Sequence, residues 1–232
     1  MSEGLSAPWL QFTMNLQGKA ENPLVLTGDE MHEVEFINHH TANSHMMAVR
    51  NFHLVKMVLL YVFGELEAAD QGRRVWEKGQ AEGTHFMMYF ASLFSGLTSL
   101  GLARRHPGKQ RKHVARAKRH IKKMEGLVKD GAVNATLVLR FLQAEKLALK
   151  GDLVLTRKAY DETIQVAGRT GSRLIKALVL ERTGEFLLQR KEPIRAVDYF
   201  RQAVTEVCFR EPLSKLLHFR CRLLTPCFLA DK

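Results

Sequence analysis

Residues 144–163 read AEKLALKGDLVLTRKAYDET, and residues 184–203 read GEFLLQRKEPIRAVDYFRQA. Laid over each other at an offset of forty, Ala144, Leu147, Thr156, Tyr160 and Thr163 fall on Gly184, Leu187, Ala196, Phe200 and Ala203. The order is small, large, small, large aromatic, small. Two helices that cross closely require such an order: small residues let the backbones approach, and large ones fill the gaps beside the crossing. Gly151-Asp152 and Lys191-Glu192 fall together, in the turn between the helices. A partial copy lies upstream at Met57, Leu60, Ala69, Arg73 and Trp76, with Trp76 where a small residue is expected. The helices over 84–129 supply the unit between. A helical period of this length predicts an all-α fold, an α-solenoid of stacked hairpins.

Working outward, glycine and proline punctuate a run of helical patterns. A lead-in helix is expected from Pro8 to Gln17, breaking at Gly18 and Asn22-Pro23. Thr27 and Glu30 have the spacing of a capping box, which predicts a helix from Asp29 to about His39. Further helices are expected over 46–63, 67–80, 84–105, 110–129, 134–150, 153–167 and 172–190, with Pro193 in the first turn of the last. No window alternates at period two, so no strand is expected. The organisation reads as a lead-in over 1–23, a repeat domain over 24–207 and a divergent tail over 208–232.

The segments Asn22-Pro23-Leu24-Val25-Leu26-Thr27-Gly28, Leu59 to Ala69 (LLYVFGELEAA), Tyr89-Phe90-Ala91-Ser92, Gln143-Ala144-Glu145 with Lys150-Gly151-Asp152, and Glu181 to Phe186 (ERTGEF) follow one another in a particular order. The hairpin pattern resembles the tetratricopeptide-type repeat, which implies a right-handed α-solenoid. The succession resembles the tetratricopeptide-like helical region of large multidomain signalling proteins that combine a kinase-like domain, an AAA-type ATPase, a GAF sensor and often a histidine kinase. The similarity covers about residues 8–207 and departs at Cys208-Phe209-Arg210-Glu211-Pro212. It implies that the chain is a piece of a larger protein and acts as a non-catalytic relay between neighbouring domains.

Composition narrows the partners. The net charge is +11, from 35 basic and 24 acidic residues. Arg104 to Lys123 holds ten of the basic residues and no acid, so the rest of the chain is near neutral. The basic helix carries Arg111, Lys112, Arg116, Lys118, Arg119, Lys122 and Lys123 around an apolar stripe of Val114, Ala117, Ile121, Met124 and Val128. It reads either as a packed helix with a solvated cationic face or as a site for an anionic partner: nucleic acid, acidic protein or phospholipid headgroup. The anion-binding candidates are Arg111, Lys112, Arg116, Arg119, Lys122 and Lys123. No aromatic residue lies among them to stack on bases.

A second candidate is the groove that the inner faces of a solenoid form, where Glu145, Glu181 and Glu185 would receive a basic peptide or take part in ordinary salt bridges along the helices. No phosphate-binding loop is present, because Gly101 to Lys109 lacks both the glycine spacing and the Ser/Thr that would hold Mg²⁺. Histidines cluster at His32, His39, His40, His45 and His53, but His32-Glu33 is followed by Phe36 where a second metal ligand would stand, and they read as solvated or packed residues. Cys208, Cys221 and Cys227, with His218, match no compact zinc spacing, and three cysteines do not make a disulfide framework. No cofactor, metal or small-molecule substrate is expected. A reducing, cytoplasmic location follows from the cysteines and from the lack of a basic and then apolar leader over Met1 to Phe12. Phe86 to Ala103 is uncharged over 18 residues, but Ser92, Ser95, Thr98, Ser99, Gly96 and Gly101 dilute it, so a buried helix is expected rather than a membrane span.

Overall fold

Helical periodicity with no alternating run leaves only helices. The computed structural model describes residues 3–78 and 85–208, and these contain ten α-helices, a single 3-10 turn at Pro107–Lys109 and no strand. In chain order they are α1 Glu3–Leu16, α2 Glu33–Ala42, α3 Met46–Val62, α4 Leu66–Lys78, α5 His85–Arg105, α6 Gln110–Lys129, α7 Val133–Ala148, α8 Leu153–Arg169, α9 Arg173–Gln189 and α10 Pro193–Cys208. The bounds of α6 are those the sequence predicts. The expected tail over 208–232, with Cys221, Cys227 and His218, lies outside the described residues beyond Cys208.

Two expectations at the N-terminal end need correction. Helix α1 starts at Glu3, with Pro8 inside it rather than at its first turn. Helix α2 starts at Glu33, not Asp29. The N-cap is His32, which makes no side-chain cap bond, and Thr27 is instead linked to Glu33 across the preceding turn. The Glu33 N–H donates to Thr27 Oγ1 at 3.1 Å, and the Glu33 carboxylate accepts the Leu26 N–H at 2.8 Å. Glu30 instead donates its backbone N–H to Gln11 of α1.

The chain divides into two compact units, Met1–Leu142 and Gln143–Lys232, and the division falls within α7. In the first unit α3 is buried over most of its circumference and packs against α1, α2, α4 and α5. Helix α5 packs against α3, α4 and α6. Its polar residues are accommodated inside: Ser99 donates to the Ser95 carbonyl at 2.8 Å, and Ser95 reaches Met57 Sδ at 3.8 Å. Among the described residues no helix is long and apolar enough to cross a membrane.

In the second unit the forty-residue pattern has a direct physical meaning. Thr156, Tyr160 and Thr163 on α8 are fully buried, as are Ala196 and Ala203 on α10, with Phe200 nearly so. A Cβ on Gly184 would stand 2.7 Å from the Phe200 ring, so the small residue of α9 receives the aromatic of α10. Gly184→Val is therefore expected to destabilise the chain by about 1–3 kcal/mol through overpacking, read as a lowered urea midpoint at unchanged slope.

The same register recurs elsewhere. Ala117, Ile121 and Met124 on α6, all buried, keep the spacing of Thr156, Tyr160 and Thr163; on α4, Ala69 and Arg73 are buried and Trp76 is partly buried. The corners are regular too. Gly64, Gly131, Gly151 and Gly171 turn through positive φ, as does Lys191 at the position that matches Gly151. After four of these the chain closes with a six-residue bond back to the helix: Glu65 N–H to Leu60 O, Ala132 to Leu127, Ser172 to Ala167 and Glu192 to Leu187. This left-handed helix stop sends the chain back on itself.

Candidate anion-binding face on helix α6

Helix α6 is placed by its apolar stripe. Ala117, Ile121 and Met124 are buried, and Val114 and Val128 are half-buried at its flanks. Basic side chains beside that stripe face helix α4. Arg116 Nη1 lies 3.6 Å from Asp70, and His120 Nε2 lies 3.3 Å from Glu77. Asp70 also accepts from Arg73 Nε at 2.7 Å and from Arg74 at 3.0 Å, while Arg73 pairs with Glu77 as well. Burial alone would raise the Asp70 carboxyl, but the Arg73 hydrogen bond and charge, with Arg74 and Arg116, hold it below the ordinary carboxylate range. Glu77 follows the same balance, with burial outweighed by His120 and Arg73. His113 is buried, and desolvation, then Arg116, lowers its pKa.

These shifts have a definite sign. A carboxylate whose folded pKa is depressed stabilises the fold above its unfolded value, near pH 4, and that contribution is lost as pH falls through the lowered one. A histidine with a lowered folded pKa begins to oppose folding sooner, below about pH 6.5. Stability measured by denaturant is therefore expected to fall gently from neutral pH to about 5, then steeply below about 4. Asp70→Asn would remove much of the steep part.

The sequence grouped Arg116 with the outward cations, and the structure separates it. Its side chain is 20% exposed and turned to Asp70, because it lies one residue from the buried Ala117. Arg111, Lys112, Arg119, Lys122 and Lys123 are exposed as expected, and Lys118 joins them. At about 100° per residue, Arg111, Lys118 and Lys122 form one row and Lys112, Arg119 and Lys123 the adjacent row. The two rows run about 18 Å along the helix. None of these six has a carboxylate within ion-pair distance among the described residues.

The groove carboxylates are placed otherwise than expected. Glu145 is fully buried; it accepts the Tyr160 hydroxyl at 2.6 Å and Arg182 Nε at 3.1 Å. Glu181 is buried too, and Glu185 is partly buried and paired with Arg182. Glu145 and Glu185 thus meet on Arg182 within the second unit, and Glu181 is buried rather than open to a basic peptide. Helical spacing put them on one face, but that face turns inward. The sequence places His39, His40 and His45 in a wider histidine cluster read as solvated or packed; the structure brings these three rings together.

No known protein family matches this chain, and no curated protein or solved structure matches it. The functional reading therefore rests on the residues themselves.

Proposed function

We propose that this chain is a non-catalytic interaction module, a right-handed α-solenoid of tetratricopeptide-like hairpins, that engages an acidic protein partner or neighbouring domain through the outer face of α6. The observation that carries the reading is the double row of six exposed cations without carboxylate partners among the described residues. Its placement adds support. Arg111 and Lys112 stand in the first turn of α6, where no acidic residue accompanies them. Cations there oppose the helix macrodipole at a cost of about 0.3–1 kcal/mol each, and folding gains nothing in return. The recurrent register on α4, α6, α8 and α10 and the repeated left-handed corners support the repeat. On this reading the module relays between domains of a larger ATPase or kinase signalling protein in a reducing, cytoplasmic setting.

A nucleic acid is the second reading, favoured by charge density alone. The double row offers no aromatic side chain for base stacking, which counts against a single-stranded nucleic acid and leaves a duplex as the competitor. Fluorescence anisotropy with a labelled Glu/Asp-rich peptide and with a DNA duplex of matched charge separates the two. Tighter binding of the peptide is expected. Tighter binding of the duplex would transfer the face to the second reading, and failure of both to bind at low salt would overturn the proposal.

A further inference from the structure

The corner between α2 and α3 repeats the left-handed stop of the other corners, with one difference. Ser44 takes the positive φ, 56°, and the His45 N–H closes back on the His40 carbonyl at 2.8 Å. In such a stop the two residues joined by that bond bring their side chains together, usually as an apolar contact. The matching pairs elsewhere are Leu60 with Glu65, Leu127 with Ala132, Ala167 with Ser172 and Leu187 with Glu192. Here both residues are histidines, and the turn sets His40 Nδ1 3.1 Å from His45 Nδ1.

His39 completes the group. One nitrogen from each of the three rings lies within 4.8 Å of the others. Nitrogen ligands about 2.0–2.1 Å from a tetrahedral zinc ion stand roughly 3.3 Å apart, so small ring rotations close the set on a single ion. We infer that His39, His40 and His45 form a binding site for a late first-row divalent metal ion, zinc foremost.

Three further features fit that chemistry. The His40 ring is held from behind, since a Cβ on Gly4 of α1 would stand 3.1 Å from its Cε1 and 3.4 Å from its Nε2, which leaves Nδ1 for the ion. Burial, then the neighbouring His39 and His45, lowers the His40 pKa. His39 and His45 are exposed and border a surface depression that Met46 and Met47 also line, which leaves room for water as a fourth ligand. Three imidazoles plus an open position suit zinc, and copper or nickel as competitors. The ion would also tie α2, which has no fully buried residue, to α3.

The test uses the full chain with its cysteines alkylated, so that thiols of the C-terminal segment contribute nothing. Titration with Co²⁺ alone is expected to give the visible bands of a low-coordinate nitrogen site, displaced by Zn²⁺, and Zn²⁺ is expected to raise the melting temperature. His39→Asn and His45→Asn should each weaken binding by more than about tenfold and abolish the thermal shift, since loss of even an outer-shell partner of a metal ligand costs that much. His32→Asn, at an exposed position outside the group, should change neither. Both test residues are exposed, so the variants are expected to keep their helical circular dichroism. Absence of Co²⁺ bands in the alkylated wild type, or equal affinity in wild type and both variants, would overturn the site.

Discussion

Asp70→Ala is expected to destabilise the chain by about 3–5 kcal/mol, the cost of breaking a buried ion pair by removing one partner. Asp70 and Arg73 have side chains only 6% and 5% exposed and share a 2.7 Å hydrogen bond. Removing the carboxylate leaves the Arg73 guanidinium buried with only Glu77, itself 39% exposed, as an ion-pair partner. It also removes the acceptor toward which Arg116 of α6 is turned. Arg74, by contrast, is 62% exposed on the same carboxylate, and Arg74→Ala should cost less than about 1 kcal/mol.

The repeat makes this prediction sharper. Arg73 stands in the register of Ile121, Tyr160 and Phe200, all buried. Leucine at 73 would restore the apolar filling of the other hairpins. The double variant Asp70→Ala/Arg73→Leu is therefore expected to recover most of the stability that Asp70→Ala loses, because a buried ion pair replaced as a whole by apolar groups is often neutral or better. Urea unfolding of the wild type and the variants checks this. Equal loss in the single and double variants would show that Asp70 acts by some route other than Arg73.

Much of this fold was legible in the sequence. Gly64, Gly131, Gly151 and Gly171 end helices by adopting a backbone conformation that other residues avoid, so the corners could be read directly. The small-large register that positions α8 and α10 was equally visible, since it reports which residues touch. Local spacing misplaced the start of α2: Thr27 and Glu30 have capping-box spacing, but the Glu30 N–H donates to Gln11 of α1 and the helix begins only at Glu33. The site was legible by halves. Charge density pointed to α6, but spacing alone could not show that Arg116 turns to Asp70 while Lys118 stays outside. Nor could it show that Glu145 is consumed by Tyr160 and Arg182, a pairing that exists only once α7, α8 and α9 have packed. The cluster holding His39, His40 and His45 was visible, but its metal-like geometry was not, because the three straddle the left-handed Ser44, where no helical ligand spacing applies.

The second large effect is expected at the face itself. Lys112→Glu, Arg119→Glu and Lys123→Glu together reverse one row of α6. Like-charge contact across an interface costs several kcal/mol, so affinity for an acidic peptide should fall by about a hundredfold or more. All three side chains are exposed, and none is paired with a carboxylate among the described residues, so the folded state should survive. Of the three, only Lys112 stands in the first turn of α6, where an acidic residue suits the helix dipole, so little change in thermal stability is expected. A variant that unfolds would mean that these cations hold the structure rather than a partner.

The most direct test of the central claim is the salt dependence of acidic-peptide binding, measured by anisotropy for the wild type and for this triple variant. An interface built from exposed cations is screened over about 10 Å at 0.1 M salt, so wild-type affinity is predicted to fall steeply as salt rises, and the residual affinity of the variant to stay nearly flat. The same steep slope in both chains would contradict the account, because the binding charge would then lie elsewhere than on α6.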